Sequence, residues 1–441
     1  MSGKTLDWAA RPAPGPLRGR IRVPGDKSIS HRAMMLGSLA DGVTEVSGFL
    51  EGEDTLATAA AFRAMGVRID ADGAGRRIVH GVGLDGLRAP SGPLDLGNAG
   101  TGMRLMAGIL AGQRFASELI GDESLSRRPM KRVIEPLRRM GAVIDSREGG
   151  LAPLRITPAP AGLVGIDYES PVASAQVKSC VLLAGLFARG TTSVAEPHGT
   201  RDHTERMLRA FGVDVRVDGH SASLVGGQRL RGTTIEVPAD VSSAAFFLVA
   251  ASIVPGSDLL LESVGVNPLR DGIVRALRLM GAHITLENPR TLGDEPVADL
   301  RVRHAPLHGI EVPESLVPDM IDEFPVLFAA AAVARGTTVV RGAAELRVKE
   351  SDRIAAMAGA LRALGASIEE TADGAVIHGG ALGGGRIDSH GDHRIAMASA
   401  VAAQVSGGSV AIADCANVAT SFPGFVPLAA SAGFALAEAQ S

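Results

Sequence analysis

Ile21-Arg22-Val23-Pro24-Gly25-Asp26-Lys27-Ser28-Ile29-Ser30-His31-Arg32 joins a short β-prone run to a polar Pro-Gly turn, ahead of the small apolar residues Ala33 to Ala40. Such an order predicts strand, loop, then helix. It recurs at Gly97-Asn98-Ala99-Gly100-Thr101-Gly102-Met103-Arg104 and at Ser170-Pro171-Val172-Ala173-Ser174-Ala175-Gln176-Val177-Lys178. Three further copies begin at Pro238-Ala239-Asp240-Val241-Ser242-Ser243, Asp319-Met320-Ile321-Asp322-Glu323 and His390-Gly391-Asp392-His393-Arg394, which makes six in all. The frame repeats while its polar filling changes. A scaffold needs no such variation, whereas a composite site built from several helix N-termini does. Free N–H groups and the helix dipole favour anions at those ends.

A second element marks each repeat. Helical patterns end at Phe62-Arg63-Ala64-Met65-Gly66, Leu137-Arg138-Arg139-Met140-Gly141, Leu208-Arg209-Ala210-Phe211-Gly212, Leu277-Arg278-Leu279-Met280-Gly281 and Leu361-Arg362-Ala363-Leu364-Gly365. Ala429-Ala430-Ser431-Ala432-Gly433 is a weaker sixth copy. Glycine there predicts a residue of positive φ just past a helix. The spacing, roughly 70 residues, exceeds that of common solenoids, so each unit is a small α/β subdomain. Ile21 to Ser28 echoes Ile235-Glu236-Val237-Pro238-Ala239-Asp240-Val241-Ser242, which divides the six units into three plus three. The expected domains are 24–236, and 1–23 with 237–441, the two echoing segments being the crossings. Two such domains are expected to face each other across a cleft.

At 441 residues, 46% of them hydrophobic, the chain predicts two well-buried cores. A formal net charge of -4 and 3% aromatic residues argue against a nucleic-acid partner. Cys180 and Cys415 form no CxxC pair and are expected to be buried thiols in a reducing compartment. No signal-peptide or membrane-span pattern is read, so a cytoplasmic protein is expected. His31, His203, His390 and His393 do not assemble a metal motif, and neither metal nor other cofactor is expected.

Lys27 and Arg32 stand at a helix start, where the dipole disfavours cations unless an anion lies between them. Gly97 to Gly102 allows a close backbone approach, without the Lys-Ser/Thr of a P-loop. Arg127-Arg128-Pro129 and Thr200-Arg201-Asp202 open the second helices of units two and three. They are either solvated faces or forks for phosphate and carboxylate. Arg347-Val348-Lys349-Glu350-Ser351-Asp352-Arg353 is either a salt-bridged surface helix or an acid held in an anion pocket. Asp322 and Glu323 interrupt an apolar stretch, where a carboxylate without a role is costly.

Pro24 to Arg32, Gly97 to Arg104, Arg347 to Arg353 and Gly391 to Arg394, in that order, resemble the 5-enolpyruvylshikimate-3-phosphate synthase family over Arg22 to Phe425. The resemblance implies two domains, each of three βαβαββ units about a pseudo-threefold axis, an inside-out α/β barrel. It implies transfer of the enolpyruvyl group of phosphoenolpyruvate to the 5-hydroxyl of shikimate 3-phosphate, on the way to chorismate and the aromatic amino acids. Carried over residue by residue, it makes Lys27, Ser28, Arg32, Ser174, Ala175, Gln176, Arg201, Asp322 and Lys349 contacts of shikimate 3-phosphate. It makes Lys27, Gly100, Arg128, Gln176, Arg353 and Arg394 contacts of phosphoenolpyruvate. Glu350 is the expected carbon acid and Asp322 the hydroxyl base, with Lys27 able to shuttle a proton in either step. A monomer that closes on its first substrate is implied.

Three positions depart from the family pattern: Leu105 where proline follows Met-Arg, Thr420 where lysine often precedes Thr-Phe-Pro, and Lys178 where many members have no cation. They resemble the second class of the family, whose herbicide-tolerant members carry alanine in place of Gly100. Inhibition by glyphosate at the phosphoenolpyruvate pocket is therefore expected here. The nearest rival, the enolpyruvyl transferase acting on UDP-N-acetylglucosamine, would show Lys-Asn at Lys27-Ser28 and a cysteine in a mobile loop. RNA 3′-phosphate cyclases share a related subdomain but suit neither the acidic balance nor the few aromatics. A non-enzymatic repeat scaffold would leave the differing polar loops without a reason.

Overall fold

The computed structural model describes residues 6–439, which form two compact units. One holds Gly25–Val237 with Leu292–Glu295, and is called N-terminal here. The C-terminal unit holds the described residues up to Pro24, then Pro238–Thr291 and those from Pro296 onward. The chain passes between the units at Pro24/Gly25 and at Val237/Pro238, and again on either side of the short excursion Leu292–Glu295.

The N-terminal unit carries helices α1 (Lys27–Leu39), α2 (Glu53–Ala64), α3 (Gly100–Ala111), α4 (Lys131–Arg139), α5 (Ala175–Gly185) and α6 (His203–Ala210). The C-terminal unit carries α7 (Val241–Ile253), α8 (Gly272–Leu279), α9 (Phe324–Ala331), α10 (Arg353–Ala363), α11 (His393–Ala403) and α12 (Phe425–Ser431). Odd-numbered helices open the repeats and are buried on nearly every side; in α7 all 13 positions are buried. A helix apolar all round belongs in a core. Each unit accordingly has its own continuous hydrophobic cluster.

Every repeat folds its strands into one small sheet with a common order. In the third repeat Asp167–Glu169 runs parallel to Thr191–Ala195, which pairs antiparallel with Ser221–Val225, and that strand with Val215–Asp218. In the first repeat the parallel partner of Asp41–Ser47 is Thr234–Glu236, from the far end of the unit. Its counterpart Arg18–Ile21 runs parallel to Asp258–Gly265 in the fourth. The fifth sheet has three strands, because its parallel partner is reduced to bridges at His308 and Glu311. In the sixth, Trp8–Arg11 lies between Val410–Ala413 and Ala435–Glu438.

The helix-ending motif has a physical basis. Gly66, Gly141, Gly212, Gly281, Gly365 and Gly433 all take positive φ, from 85° to 105°. The arginine three residues earlier is a backbone clip: Arg63, Arg138, Arg209, Arg278 and Arg362 each donate to the carbonyl six residues on, at Ile69, Ile144, Val215, Ile284 and Ile368. Alanine stands at this place in the sixth copy, which is why that motif is faint.

Close approach explains another recurring glycine, at or just past the end of a hairpin strand in a repeat. A Cβ at Gly81, Gly226 or Gly379 would lie 2.1, 1.9 or 1.5 Å from the carbonyl oxygen of Ala40, Ala188 or Ala334. Backbone cannot yield as a side-chain tip can, so Gly379→Ala should cost about 3 kcal/mol, the upper range for overpacking. Urea unfolding of the variant checks this, and an unchanged midpoint would show that the carbonyl relaxes freely.

Candidate active site

In the N-terminal unit the polar phrases lie at the starts of α1, α3 and α5. Asp26 caps α1, accepting from the Ile29 N–H at 2.8 Å, and so sets Lys27 and Ser28 in the first turn. Lys27 Nζ lies 3.1 Å from Asp54 Oδ2 on α2. Arg32 is buried; its Nε donates to Thr204 Oγ1, Nη2 to Ser179 Oγ and Nη1 to the Ser28 carbonyl. Burial lowers its pKa to about 10, against Glu205 and Asp26, which leaves it charged at neutral pH.

Gly100, Arg128 and Gln176 come together. The Gln176 amide donates to Thr101 Oγ1 at 2.9 Å and accepts from Arg104 Nη1 at 2.8 Å. Arg128 Nη2 donates to Asn98 Oδ1 at 2.6 Å and to Ser124 Oγ at 3.1 Å. A Cβ on Gly100 would meet Arg104 Nη1 at 3.1 Å and Arg128 Nη1 at 3.3 Å. Ser174 caps α5, placing Ala175 and Gln176 in its first turn, and Arg201 lies in the loop before α6.

In the C-terminal unit one guanidinium gathers the acids. Arg353 Nε lies 2.9 Å from Asp392 Oδ2, Nη2 lies 2.6 Å from Glu350 Oε2, and Nη1 lies 3.3 Å from Asp322 Oδ1. Burial disfavours its charge, but Asp392, Glu350 and Asp322 more than offset this and raise its pKa. Burial also pushes the Asp392 carboxyl up, and Arg353 pulls it below the usual range. Lys349 Nζ sits 3.7 Å from Asp322 Oδ1 and 2.8 Å from Glu345 Oε1. Arg394 Nη1 donates to the Asp322 carbonyl at 2.8 Å. Asp322, Lys349, Glu350, Arg353 and Arg394 therefore form one cluster.

The surface-helix reading of Arg347 to Arg353 fails. Residues up to Val348 form a 3₁₀ turn, Lys349 to Asp352 lie outside any helix, and α10 begins at Arg353. Arg128 and Arg201 likewise precede α4 and α6 instead of opening them. Thr420 donates to the Asn417 carbonyl at 2.7 Å and supplies no cation. Cys180 and Cys415 are free and buried, and burial drives the Cys180 thiol up to about 12. Among the described residues no cluster of metal-ligating side chains occurs, and no helix is long and apolar enough to cross a membrane.

Asp54, Arg104 and Asp392 were not foreseen as site residues. Arg104 and Asp392 lay inside the quoted motifs, and a sequence cannot tell which motif residues hold others in place. Asp54 stands on a different helix, 27 positions from Lys27.

A two-unit α/β protein with Lys27, Gln176, Arg353 and Arg394 at or near helix starts, and carboxylates set among its arginines, belongs with the enolpyruvyl transferases. The profile of EPSP synthase (3-phosphoshikimate 1-carboxyvinyltransferase) matches residues 12–428. The chain is 64% identical, over 441 residues and the full length of both proteins, to a 3-phosphoshikimate 1-carboxyvinyltransferase of Xanthomonas oryzae pv. oryzae (strain PXO99A). It is also 64% identical to that of Xanthomonas campestris pv. campestris (strain B100), over 99% of each. An EPSP synthase structure from Acinetobacter baumannii superposes with a TM-score of 0.89 at 52% identity, covering 99% of this chain and 100% of the other. This chain belongs to the EPSP synthase family. It is an enolpyruvyl transferase of aromatic amino acid biosynthesis, with shikimate 3-phosphate as acceptor and phosphoenolpyruvate as donor. The UDP-N-acetylglucosamine and scaffold readings are set aside.

His31 lies within this framework, fully buried, with Nδ1 2.8 Å from Thr58 Oγ1. Burial, then Lys27 and Arg32, lower its pKa to about 3. The unfolded chain therefore binds a proton below pH ~6.5 that the native state refuses until pH ~3, so stability falls as pH drops through that window. Between pH 7 and 5 this residue should account for about 2 kcal/mol of lost stability. His31→Gln should lose correspondingly less than the parent protein on urea unfolding at the two pH values; equal losses would contradict the buried neutral state.

Proposed function

We propose that Glu350 and Asp322 divide the proton transfers of the reaction. Glu350 protonates the methylene carbon of phosphoenolpyruvate, and the adjacent carbon becomes cationoid. The 5-hydroxyl oxygen of shikimate 3-phosphate bonds to that carbon, and its proton passes to Asp322. The tetrahedral adduct then returns the methyl proton to Glu350 while its C–O bond to phosphate breaks, and phosphate leaves with the proton held on Asp322. Two carboxylates on one guanidinium carry this reading: Arg353 holds both at 2.6 and 3.3 Å. Arg353, Arg394 and Arg128 are proposed to receive the phosphate and carboxylate of the donor, as planar forks do. Lys27 serves both substrates. Ser28, Arg32, Ser174, Ala175, Gln176, Arg201 and Lys349 are proposed around shikimate 3-phosphate. Arg32 has five N–H groups, three of them engaged internally, so one on each terminal nitrogen is left for a carboxylate. We further propose a cytoplasmic monomer that takes no nucleic-acid partner, needs no metal or other cofactor, and is inhibited by glyphosate.

Phosphate release should require shikimate 3-phosphate together with phosphoenolpyruvate, and UDP-N-acetylglucosamine should not replace the acceptor. Glu350→Gln should lower kcat by about 10²–10⁴-fold, the span of general acid catalysis. Release unaffected by that change would move the carbon acid elsewhere.

Gly100→Ala pushes a methyl group against two guanidiniums that are already held by Gln176, Asn98 and Ser124. KM for phosphoenolpyruvate should rise about tenfold, with KM for shikimate 3-phosphate little moved and glyphosate inhibition weakened. Unchanged inhibition would remove Gly100 from the shared pocket.

A further inference from the structure

Lys178 is built into the protein two residues after Gln176. Its side chain is 6% exposed. Nζ lies 2.9 Å from Glu205 Oε1 and 3.0 Å from Glu196 Oε2, and donates to the Thr200 carbonyl at 3.1 Å. An ammonium has three N–H groups, and these three acceptors engage them all. Burial works against the charge, while Glu205 and Glu196 outweigh it and raise the pKa.

The two carboxylates reach onward to the residues assigned to shikimate 3-phosphate. Glu196 accepts from the Ser174 N–H at 2.8 Å and from the Thr200 hydroxyl at 2.7 and 2.9 Å. Thr200 immediately precedes Arg201. Glu205 follows Thr204, which accepts from Arg32 Nε at 2.7 Å and donates to Ser179 at 2.7 Å. Arg32, Lys178, Glu196 and Glu205 thus form a buried set of two cations and two anions. It joins α1, the start of α5, the Thr200-Arg201 loop and α6.

We propose that Lys178 is a positioning residue for the shikimate 3-phosphate subsite, holding Ser174 and the Arg201 loop in register through Glu196 and Glu205. A buried carboxylate that loses its cation takes up a proton or turns toward water. Either response loosens the grip of Glu196 on the Ser174 N–H and on Thr200. Arg128, assigned to the donor, is held by Asn98 and Ser124, which lie outside this set, so the effect is expected chiefly on shikimate 3-phosphate.

The inference rests on the assignment of Ser174 and Arg201 to shikimate 3-phosphate, and the experiment separates the two. Lys178→Met, Thr200→Val and Arg201→Ala are made in the full chain. Phosphate release is measured with each substrate varied at saturating levels of the other, alongside melting temperature. Lys178→Met should raise KM for shikimate 3-phosphate about tenfold and Thr200→Val about threefold, with KM for phosphoenolpyruvate and kcat within about twofold. If Lys178→Met does not fold, Thr200→Val decides by the same criterion, since it creates no buried charge. A lowered melting temperature with an unchanged KM for shikimate 3-phosphate would make the network merely structural and overturn the inference. A parallel rise in both KM values would overturn it too. An unchanged KM in Arg201→Ala would overturn the subsite assignment, and the inference with it.

Discussion

A helix buried on every side can offer chemistry only at its ends. The first helix of each repeat is such a helix, and this constraint organises both units. Its N-terminus carries N–H groups that the core cannot satisfy. Asp26, Ser174, Asp240 and Asp392 answer that need with a side-chain cap. The residue after the cap is then fixed in direction by a rigid element. Lys27, Ala175 and His393 follow caps directly, with Ser28, Gln176 and Arg394 one step further. The variable polar phrases are thus confined to one end of each helix, and the apolar remainder is free to pack.

Cations in these phrases carry their own acids. Lys27 meets Asp54, Lys178 meets Glu196 and Glu205, and Arg353 meets Asp392, Glu350 and Asp322. A buried guanidinium is tolerated because several acceptors surround it, and the same acceptors fix its orientation. Within the C-terminal unit, the acids proposed for proton transfer are therefore oriented by an arginine proposed to bind the donor. One packed group serves to position and to bind.

Much of this was legible in the sequence because it depends on local geometry. The glycine after each second helix was readable, since only positive φ explains its recurrence. The arginine clip three residues earlier gave that motif its strength, and its loss before Gly433 explains the weak sixth copy. Contacts made across the fold were not legible. Nothing near Lys27 announces Asp54, and nothing near Ser174 announces Glu196. The charged run Arg347 to Arg353 misled by its alternation, which on an exposed helix would be a row of ion pairs. Here Arg353 turns inward and the preceding acids follow it. The fifth sheet's missing strand was also invisible, because only isolated bridges replace it.

Trp8–Arg11 sits in the interior of a sheet whose other strands lie between residues 385 and 438. Trp8 stacks on Phe425, with ring centroids 5.5 Å apart. During synthesis this strand therefore waits for partners made more than 370 residues later. Gly25–Val237 closes its own sheets without that delay, since Thr234–Glu236 completes the sheet that Asp41–Ser47 begins. During synthesis the unit in the middle of the chain can fold while the segment ahead of it is still unpaired. The two flanks of the chain thus belong to one unit, whose sheets can be completed only after its last strand is made.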